Sequence, residues 1–120
     1  MKKIIFYSYL RCSTCRKAAK WLDKKDIEYQ LIDIVKETPL LNYLNLACDQ
    51  YSDDKKKIFN TRGKAFKSIN LDIESLSREE IIELLKSDGK LIKRQFLVFE
   101  EKKVILGFNE IEYLNNLIKS

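Results

Sequence analysis

The chain has 120 residues, of which 45% are hydrophobic and 34% are charged, and its formal net charge is +5. This length and composition predict one globular domain spanning residues 1–120. The sequence has three cysteines and no histidine, which excludes histidine-based general-base catalysis and a Cys/His zinc site, and we expect no bound metal. No apolar run approaches the ~20 residues of a membrane span.

The start of the chain and its cysteine content indicate that the protein is located in a reducing compartment. Residues 1–3 include two lysines, but only a few apolar residues follow, which is typical of a first strand rather than a signal peptide. Cysteines without a secretory signal favour a reducing compartment, so we expect a cytoplasmic protein whose thiols have a chemical role. The excess of positive charge indicates either solvated lysine-rich faces or a surface for an anion or an acidic partner. It is not accompanied by a nucleic-acid recognition motif.

The first third of the chain predicts a βαβ unit. Residues 2–7 form an apolar run typical of a buried strand, and residues 16–25 have helical periodicity. Residues 28–34 predict a second strand, which a right-handed helical crossover would place parallel to the first. One face of the intervening helix is apolar and carries Cys15, Ala18, Ala19 and Leu22.

The middle of the chain, about residues 38–88, predicts a helical insertion. Thr38 and Pro39 are typical of a helix cap and the first helical turn that follows it. Ser77 and Glu80 have the spacing of a capping box, which predicts the start of another helix. The expected buried face of the first of these helices carries Leu40, Leu44 and Ala47.

The last third of the chain predicts a β-hairpin and a terminal helix. Residues 96–99 and 103–106 are short apolar runs on either side of a polar turn. Asn109 and Glu112 have the spacing of a second capping box. The order βαβ, helical insertion, ββα predicts a thioredoxin-like α/β fold with a mixed central sheet. The expected buried face of the last helix carries Ile111, Leu114, Leu117 and Ile118.

Two thiols lie in the predicted turn between the first strand and the first helix, in the motif C-S-T-C at residues 12–15. Free backbone N–H groups and the positive end of a helix stabilise a thiolate at such a position, so Cys12 is the predicted nucleophile. Arg11 and Arg16 are close in sequence and are expected to lower its pKa further. Cys15 lies one helical turn deeper, where it could resolve an adduct on Cys12 or could only pack in the core.

Two further arginines and the third cysteine complete the candidate residues. Arg94 precedes the hairpin, which in this fold lies beside the cysteine turn, so its guanidinium could hold an oxyanion or a thiolate. Arg94 and Arg62 could equally be solvated or paired with a carboxylate. Cys48 lies in an apolar stripe, and we expect it to pack in the core.

Four segments carry a resemblance that covers nearly the whole chain. They are C-S-T-C-R-K-A at 12–18, N-T-R-G-K at 60–64, K-L-I-K-R at 90–94 and G-F-N-E at 107–110. In this order and at this spacing they resemble the arsenate reductase/Spx family of thioredoxin-fold proteins, and the resemblance implies one of two functions.

In reductase members of the family, the cysteine that matches Cys12 attacks arsenate, and arginines that match Arg62 and Arg94 hold the oxyanion. Glutathione and glutaredoxin then resolve the adduct. Spx members instead use a pair matching Cys12 and Cys15 as a disulfide switch, and they bind the α subunit of RNA polymerase.

The resemblance implies a thiol-dependent oxidoreductase in which Cys12 attacks an oxyanion or a disulfide and is resolved by Cys15 or an external thiol. The alternative that it implies is a redox-switch transcriptional regulator. We expect no cofactor beyond a reductant such as glutathione, glutaredoxin or thioredoxin, and neither a membrane nor direct nucleic-acid contact. The residues expected to stabilise the anion or the thiolate are Arg94, Arg62, Arg11 and Arg16.

The chain departs from the family pattern at three places. Gly107 stands where reductase members carry a further arginine, and the loop at residues 52–57 lacks the glycine that Spx uses at its polymerase contact. Gln95 stands where the family has a proline preceded by a cis peptide bond. Because a cis bond before any other residue costs about 2.5–4 kcal/mol, we predict a trans bond between Arg94 and Gln95.

Overall fold

The computed structural model describes residues 2–119 and contains a four-stranded sheet in the order β2-β1-β3-β4. The strands are β1 (Ile4–Ser8), β2 (Gln30–Asp33), β3 (Phe96–Phe99) and β4 (Lys103–Leu106). Strand β1 is parallel to β2 and antiparallel to β3, and β3 is antiparallel to β4. The mixed sheet and the predicted hairpin are confirmed.

The helices follow the predicted order along the chain. They are α1 (Ser13–Lys24), α2 (Leu41–Gln50), α3 (Lys64–Lys67), α4 (Arg78–Ser87) and α5 (Glu110–Tyr113), and α5 continues as a π-helical turn at Leu114–Ile118. Short 3-10 turns occur at Lys55–Ile58, Ile73–Ser75 and Gly89–Leu91. Within residues 2–119, every helix is too short or too polar to span a lipid bilayer.

Both faces of the sheet are covered, which is why every residue of β1 is buried. Alternating side chains of a strand point to opposite faces. Ile5 and Tyr7 therefore pack in a core with residues of α2 and α4. Ile4 and Phe6 pack in a second core with Ala18 and Leu22 of α1 and with residues of the C-terminal helix.

Local capping signals account for some helix ends and not for others. The Ser77–Glu80 capping box is present: the Glu80 N–H donates to the Ser77 hydroxyl at 3.2 Å, and the Ser77 N–H donates to the Glu80 carboxylate at 3.0 Å. Helix α2 begins later than predicted, because Leu40, with extended backbone, takes the cap position. Leu40 is consequently exposed rather than buried.

The buried face of the C-terminal helix also differs from the prediction. Ile111 is 71% exposed, whereas Tyr113 is fully buried and Leu117 lies four residues further on in the same core. Asn109 caps the helix by accepting from the Glu112 N–H at 3.0 Å. Packing of Tyr113 and Leu117 against Phe6 and Leu22 turns this face of the helix, rather than the one with Ile111, toward the core.

The peptide bond between Arg94 and Gln95 is cis, so the prediction of a trans bond was wrong. Contacts on both sides of the bond determine the path of the chain. The Lys93 N–H donates to the Ile58 carbonyl at 2.8 Å, and the Gly107 N–H donates to the Gln95 carbonyl at 2.9 Å. These tertiary hydrogen bonds, rather than the residue type at position 95, set the local geometry.

Glycine is required at position 89 because two backbone segments approach each other closely there. It is buried where the 3-10 turn after α4 crosses the end of β2, and a Cβ at this position would overlap the carbonyl of Ile34. At Gly63, by contrast, a Cβ would meet the movable side-chain amide of Asn60 at 2.7 Å.

We expect Gly89→Ala to lower the free energy of unfolding by about 1–3 kcal/mol, because a backbone carbonyl cannot move aside to admit the methyl group. Denaturant unfolding followed by circular dichroism measures the change. Gly63→Ala is the matched control and should cost less, since a flexible side chain can rotate away. An equal loss in the two variants would contradict the close approach at Gly89.

Candidate active site

Cys12 lies at the N-terminal end of α1, immediately after the turn that follows β1. Its backbone is extended (φ −88°, ψ 120°), and it takes the cap position of the helix. The Cys12 N–H donates to the Tyr9 carbonyl at 2.9 Å, and the Cys12 carbonyl accepts from the Arg16 N–H at 3.1 Å, which begins the helix. The predicted location of Cys12 at the end of a strand and the start of a helix is confirmed.

Hydrogen bonding lowers the pKa of Cys12 below the ordinary value for a thiol. Partial burial is the largest single influence and raises the pKa, but several donors together outweigh it. The Thr14 hydroxyl lies 3.0 Å from the sulfur, and the Cys15 thiol is also directed at it. The backbone N–H groups of Cys15 and Thr14 contribute as well, although neither makes a regular capping hydrogen bond. Cys12 is therefore the thiol that ionises first.

Burial raises the pKa of Cys15 to about 11. The side chain is 1% exposed, on the same face of α1 as Ala18. The Ser8 hydroxyl and the backbone of Tyr9 partly counteract burial, whereas the neighbouring Cys12 sulfur raises the pKa further. Both cysteines are free thiols in this structure. The pair thus consists of a partly exposed thiol that ionises readily and a buried thiol that keeps its proton.

Arg94 reaches the cysteine turn, as expected for the residue before the hairpin. Its guanidinium carbon lies 4.8 Å from the centre of the Tyr9 ring, and Tyr9 accepts the hydrogen bond that closes the turn at Cys12. One guanidinium nitrogen of Arg94 is buried and makes no hydrogen bond. That nitrogen is a donor suited to an anion bound beside the turn.

Arg11 and Arg16 do not have the effect on Cys12 that their sequence positions suggested. The Arg16 guanidinium donates to the Leu10 carbonyl at 2.7 Å and so braces the turn. Neither arginine is among the groups that shift the pKa of Cys12; hydrogen bonds, not cationic side chains, are responsible for it. A role for either residue in holding an anion stays a prediction.

Arg62 is exposed in a turn closed by a hydrogen bond from the Gly63 N–H to the Asn60 carbonyl at 3.1 Å. The Asn60 N–H donates to the Leu91 carbonyl at 2.8 Å, which brings this turn beside the segment that leads to Arg94. The described residues show no hydrogen bond or ion pair from Arg62 to either cysteine. Its role in holding an anion stays a prediction.

A cleft of about 720 Å³ opens beside the Arg62 turn, and neither cysteine lines it. Among its lining residues are Thr61, Lys93, Lys56 and Lys57. Within residues 2–119, no three histidine, cysteine, aspartate or glutamate side chains lie together as metal ligands.

Two contributors to the site were missed in the sequence. Thr14 lies inside the motif, and its hydroxyl could have been noted as a donor at the first turn of the helix. Ser8 is a buried polar residue whose approach to Cys15 depends on the packing of α1 on β1, and no local pattern indicates it.

We expect Thr14→Val to slow the alkylation of Cys12 by iodoacetamide at neutral pH by about three- to tenfold. Loss of the hydroxyl raises the pKa of Cys12, so less thiolate is present, and the rate profile moves to higher pH. Mass spectrometry of the Cys12 peptide measures the rate. Thr14→Ser keeps a hydroxyl and should alkylate like the unsubstituted protein; the same rate in Thr14→Val would show that the hydroxyl does not stabilise the thiolate.

The comparisons with known proteins agree with this fold. The ArsC family model matches residues 7–116. The uncharacterized protein YusI of Bacillus subtilis is 39% identical over 115 residues, covering 94% of this chain and 97% of its own. The global transcriptional regulator Spx of Listeria innocua is 31% identical over 109 residues, covering 91% of this chain and 82% of its own.

Among solved structures, a crystal structure of a possible arsenate reductase from Streptococcus mutans superposes with a TM-score of 0.84. It is 37% identical, and the match covers 93% of this chain and 97% of that one. The architecture, the match to the family model and these relatives lead to one conclusion: the chain belongs to the ArsC family.

Proposed function

We propose that the protein is a thiol-dependent oxidoreductase of the arsenate-reductase type, with Cys12 as nucleophile and Cys15 as resolving thiol. The observation that carries the proposal is the different surroundings of two neighbouring thiols: the Thr14 hydroxyl lies 3.0 Å from the partly exposed Cys12 sulfur, whereas Cys15 is 1% exposed. The pKa of Cys12 is lowered, and burial raises that of Cys15 to about 11. An ionised, accessible thiol is suited to attack a substrate, and a protonated neighbour does not compete with it.

With arsenate as substrate, the Cys12 thiolate attacks arsenic; a sulfur–arsenic bond forms and one oxygen leaves as water after protonation. Cys15 then attacks the Cys12 sulfur. The sulfur–sulfur bond forms as the sulfur–arsenic bond breaks, the electron pair stays on arsenic, and the Cys15 proton passes to solvent. The two thiols are oxidised to a disulfide, and arsenic is reduced from the pentavalent to the trivalent state.

The neighbouring groups support this sequence. The half-buried Arg94 guanidinium lies against the Tyr9 ring at the turn, where its charge can hold an oxyanion. A disulfide substrate would react in the same way, with its two sulfurs leaving as thiols. In both cases the Cys12–Cys15 disulfide must be reduced by an external thiol, for which we propose thioredoxin, or glutathione with glutaredoxin.

A second function is favoured by the same pair of thiols and by the similarity to a transcriptional regulator. A Cys12–Cys15 disulfide would remove the Cys12 thiolate and pull its sulfur toward the core. The turn beside it exposes Leu10, at 72%, and Arg11. A protein such as the α subunit of RNA polymerase could bind this surface in one redox state only.

Purified protein with a thioredoxin system is expected to convert arsenate to arsenite, with consumption of NADPH as the readout. Cys12→Ser should abolish turnover because the nucleophile is lost. Cys48→Ser is the matched control and should retain activity, since that thiol is buried in the other core. Absence of thiol-dependent turnover of both arsenate and a small disulfide would refute the enzymatic function.

Capture of a polymerase subunit, combined with Cys15→Ser, distinguishes the two functions. This substitution should stop turnover by the proposed reductase, because the adduct on Cys12 is no longer resolved, and it should remove the response of a switch to oxidation. Capture of the RNA polymerase α subunit by reduced and by oxidised protein provides the readout. Capture that differs between the two states, and no longer differs in Cys15→Ser, would support the regulator; equal or absent capture in both states would count against it.

A further inference from the structure

Beneath the cysteine turn, a cluster of polar groups interrupts an otherwise apolar core. Within residues 2–119, the core contains two buried polar residues, Ser8 and Gln95, which are 5% and 0% exposed. The fully buried Tyr113 adds a hydroxyl to them. Polar groups are costly to bury unless they are hydrogen-bonded, so their occurrence together beside a reactive thiol requires an explanation.

Strand pairing brings Ser8 and Gln95 to the same end of the sheet. The register of β1 with β3 ends with Tyr7 opposite Phe96, and Ser8 and Gln95 are the next residues along the two segments. The hydrogen bond from the Gly107 N–H to the Gln95 carbonyl, at 2.9 Å, shows that Gln95 keeps the register of the hairpin. Both side chains therefore belong to the same end of the sheet.

Side-chain alternation then directs both toward α1. Ser8 lies on the face of Phe6, and Gln95 lies on the face of Leu97. Phe6 and Leu97 pack in the core that also contains Ala18 and Tyr113. Cys15 precedes Ala18 by one turn on the buried face of α1, so it lies above the polar end of this core.

The polar atoms of this cluster have unused hydrogen-bonding capacity. Both polar atoms of the Gln95 amide and the Tyr113 hydroxyl are buried and make no regular hydrogen bond. The amide nevertheless lies close enough to the hydroxyl to influence its pKa, and so does the Cys15 sulfur. Burial raises the pKa of Tyr113, so its hydroxyl stays protonated and remains a donor. Buried groups in such an arrangement are commonly satisfied by an internal water.

We propose that Gln95 and Tyr113 hold an internal water against Cys15 and, together with the Ser8 hydroxyl, stabilise its thiolate during formation and reduction of the Cys12–Cys15 disulfide. Gln95 and Tyr113 are then positioning residues, because they act through the water on the reacting sulfur. This inference rests on the proposed function, and it assigns the control of the resolving step to groups beneath the thiol pair.

The chemistry explains why such a cluster would matter. During closure, Cys15 loses its proton to solvent and attacks the Cys12 sulfur; the sulfur–sulfur bond forms and the group on Cys12 leaves with its electron pair. During reduction, an external thiolate attacks Cys12 and Cys15 leaves as a thiolate. Both steps place negative charge on a buried sulfur, which burial disfavours and hydrogen-bond donors stabilise.

The groups that act on the pKa of Cys15 are Cys12 and Tyr9 of the turn and Ser8 of β1. The Cys15 sulfur and the Gln95 amide at the start of the hairpin both act on the Tyr113 hydroxyl of α5. Two charged side chains contact this group: Arg94 stacks on Tyr9, and Glu112 acts on Tyr113. Tyr113→Phe leaves these charges in place and removes only a hydroxyl.

Reaction with dithiobis(nitrobenzoate), an aromatic disulfide, tests the proposal in protein carrying Cys48→Ser. Cys12 cleaves the reagent and releases one coloured thiol, and Cys15 then displaces the second from Cys12. The two releases separate attack from resolution in a single stopped-flow trace. The pH profile of the second release reports the ionisation of Cys15.

Tyr113→Phe and Gln95→Leu should each slow the second release by about three- to tenfold at neutral pH and move its profile to higher pH, with the first release unchanged. Tyr43→Phe is the matched control and should change neither release. The Tyr43 ring packs in the other core, and its hydroxyl donates to Glu101 at 3.0 Å. The two test substitutions lie in different elements. If circular dichroism shows that only one of the two variants folds, that variant alone is sufficient for the test.

An unchanged second release and pH profile in the folded variants would overturn the inference and leave the proposed function intact. If the Cys48→Ser protein itself releases only the first thiol, Cys15 does not resolve Cys12. In that case both the resolving role proposed for Cys15 and the inference about Gln95 and Tyr113 fail. The stopped-flow trace distinguishes this result from an unchanged second release.

Discussion

The chemistry of this site depends on the different depths of two sulfurs that are three residues apart. Because α1 begins at Ser13, Cys12 stays at the end of the helix, where N–H groups are free, and Cys15 turns into the core. A thiol that faces donors ionises readily, and a thiol in apolar surroundings does not. The point where the helix begins thus shifts the pKa values of the two thiols in opposite directions.

Pairing of β1 with β3 assembles the rest of the site around these sulfurs. Strand β1 ends at the cysteine turn, and β3 begins directly after Arg94 and Gln95. The same ladder therefore brings a cation to the ring of Tyr9 and a buried amide close to the Tyr113 hydroxyl. A substitution that shifted this register would alter both contacts together, since a one-residue slip reverses the face of each side chain.

Features encoded over a few residues were predictable from the sequence. The hairpin, the Ser77 capping box and the position of Cys12 all rest on local patterns, and the structure contains them. Features set by tertiary contacts were not: the cis bond before Gln95 and the burial of Tyr113 in place of Ile111 depend on distant partners. The donors that lower the pKa of Cys12 include the Thr14 hydroxyl, whereas charge proximity in the sequence had suggested the arginines.

The two functions of the family differ in how long the disulfide must last, and the groups around Cys15 bear on that lifetime. An external thiol reaches the less buried Cys12 sulfur, so Cys15 is the leaving group when the disulfide is reduced. A leaving thiol with a high pKa departs slowly. Burial, which raises the pKa of Cys15 to about 11, therefore prolongs the disulfide and suits a switch. Hydrogen-bond donors near the Cys15 sulfur, such as the Ser8 hydroxyl, shorten the lifetime of the disulfide and suit enzymatic turnover. Burial and the donors around Cys15 thus act in opposite directions on its thiolate.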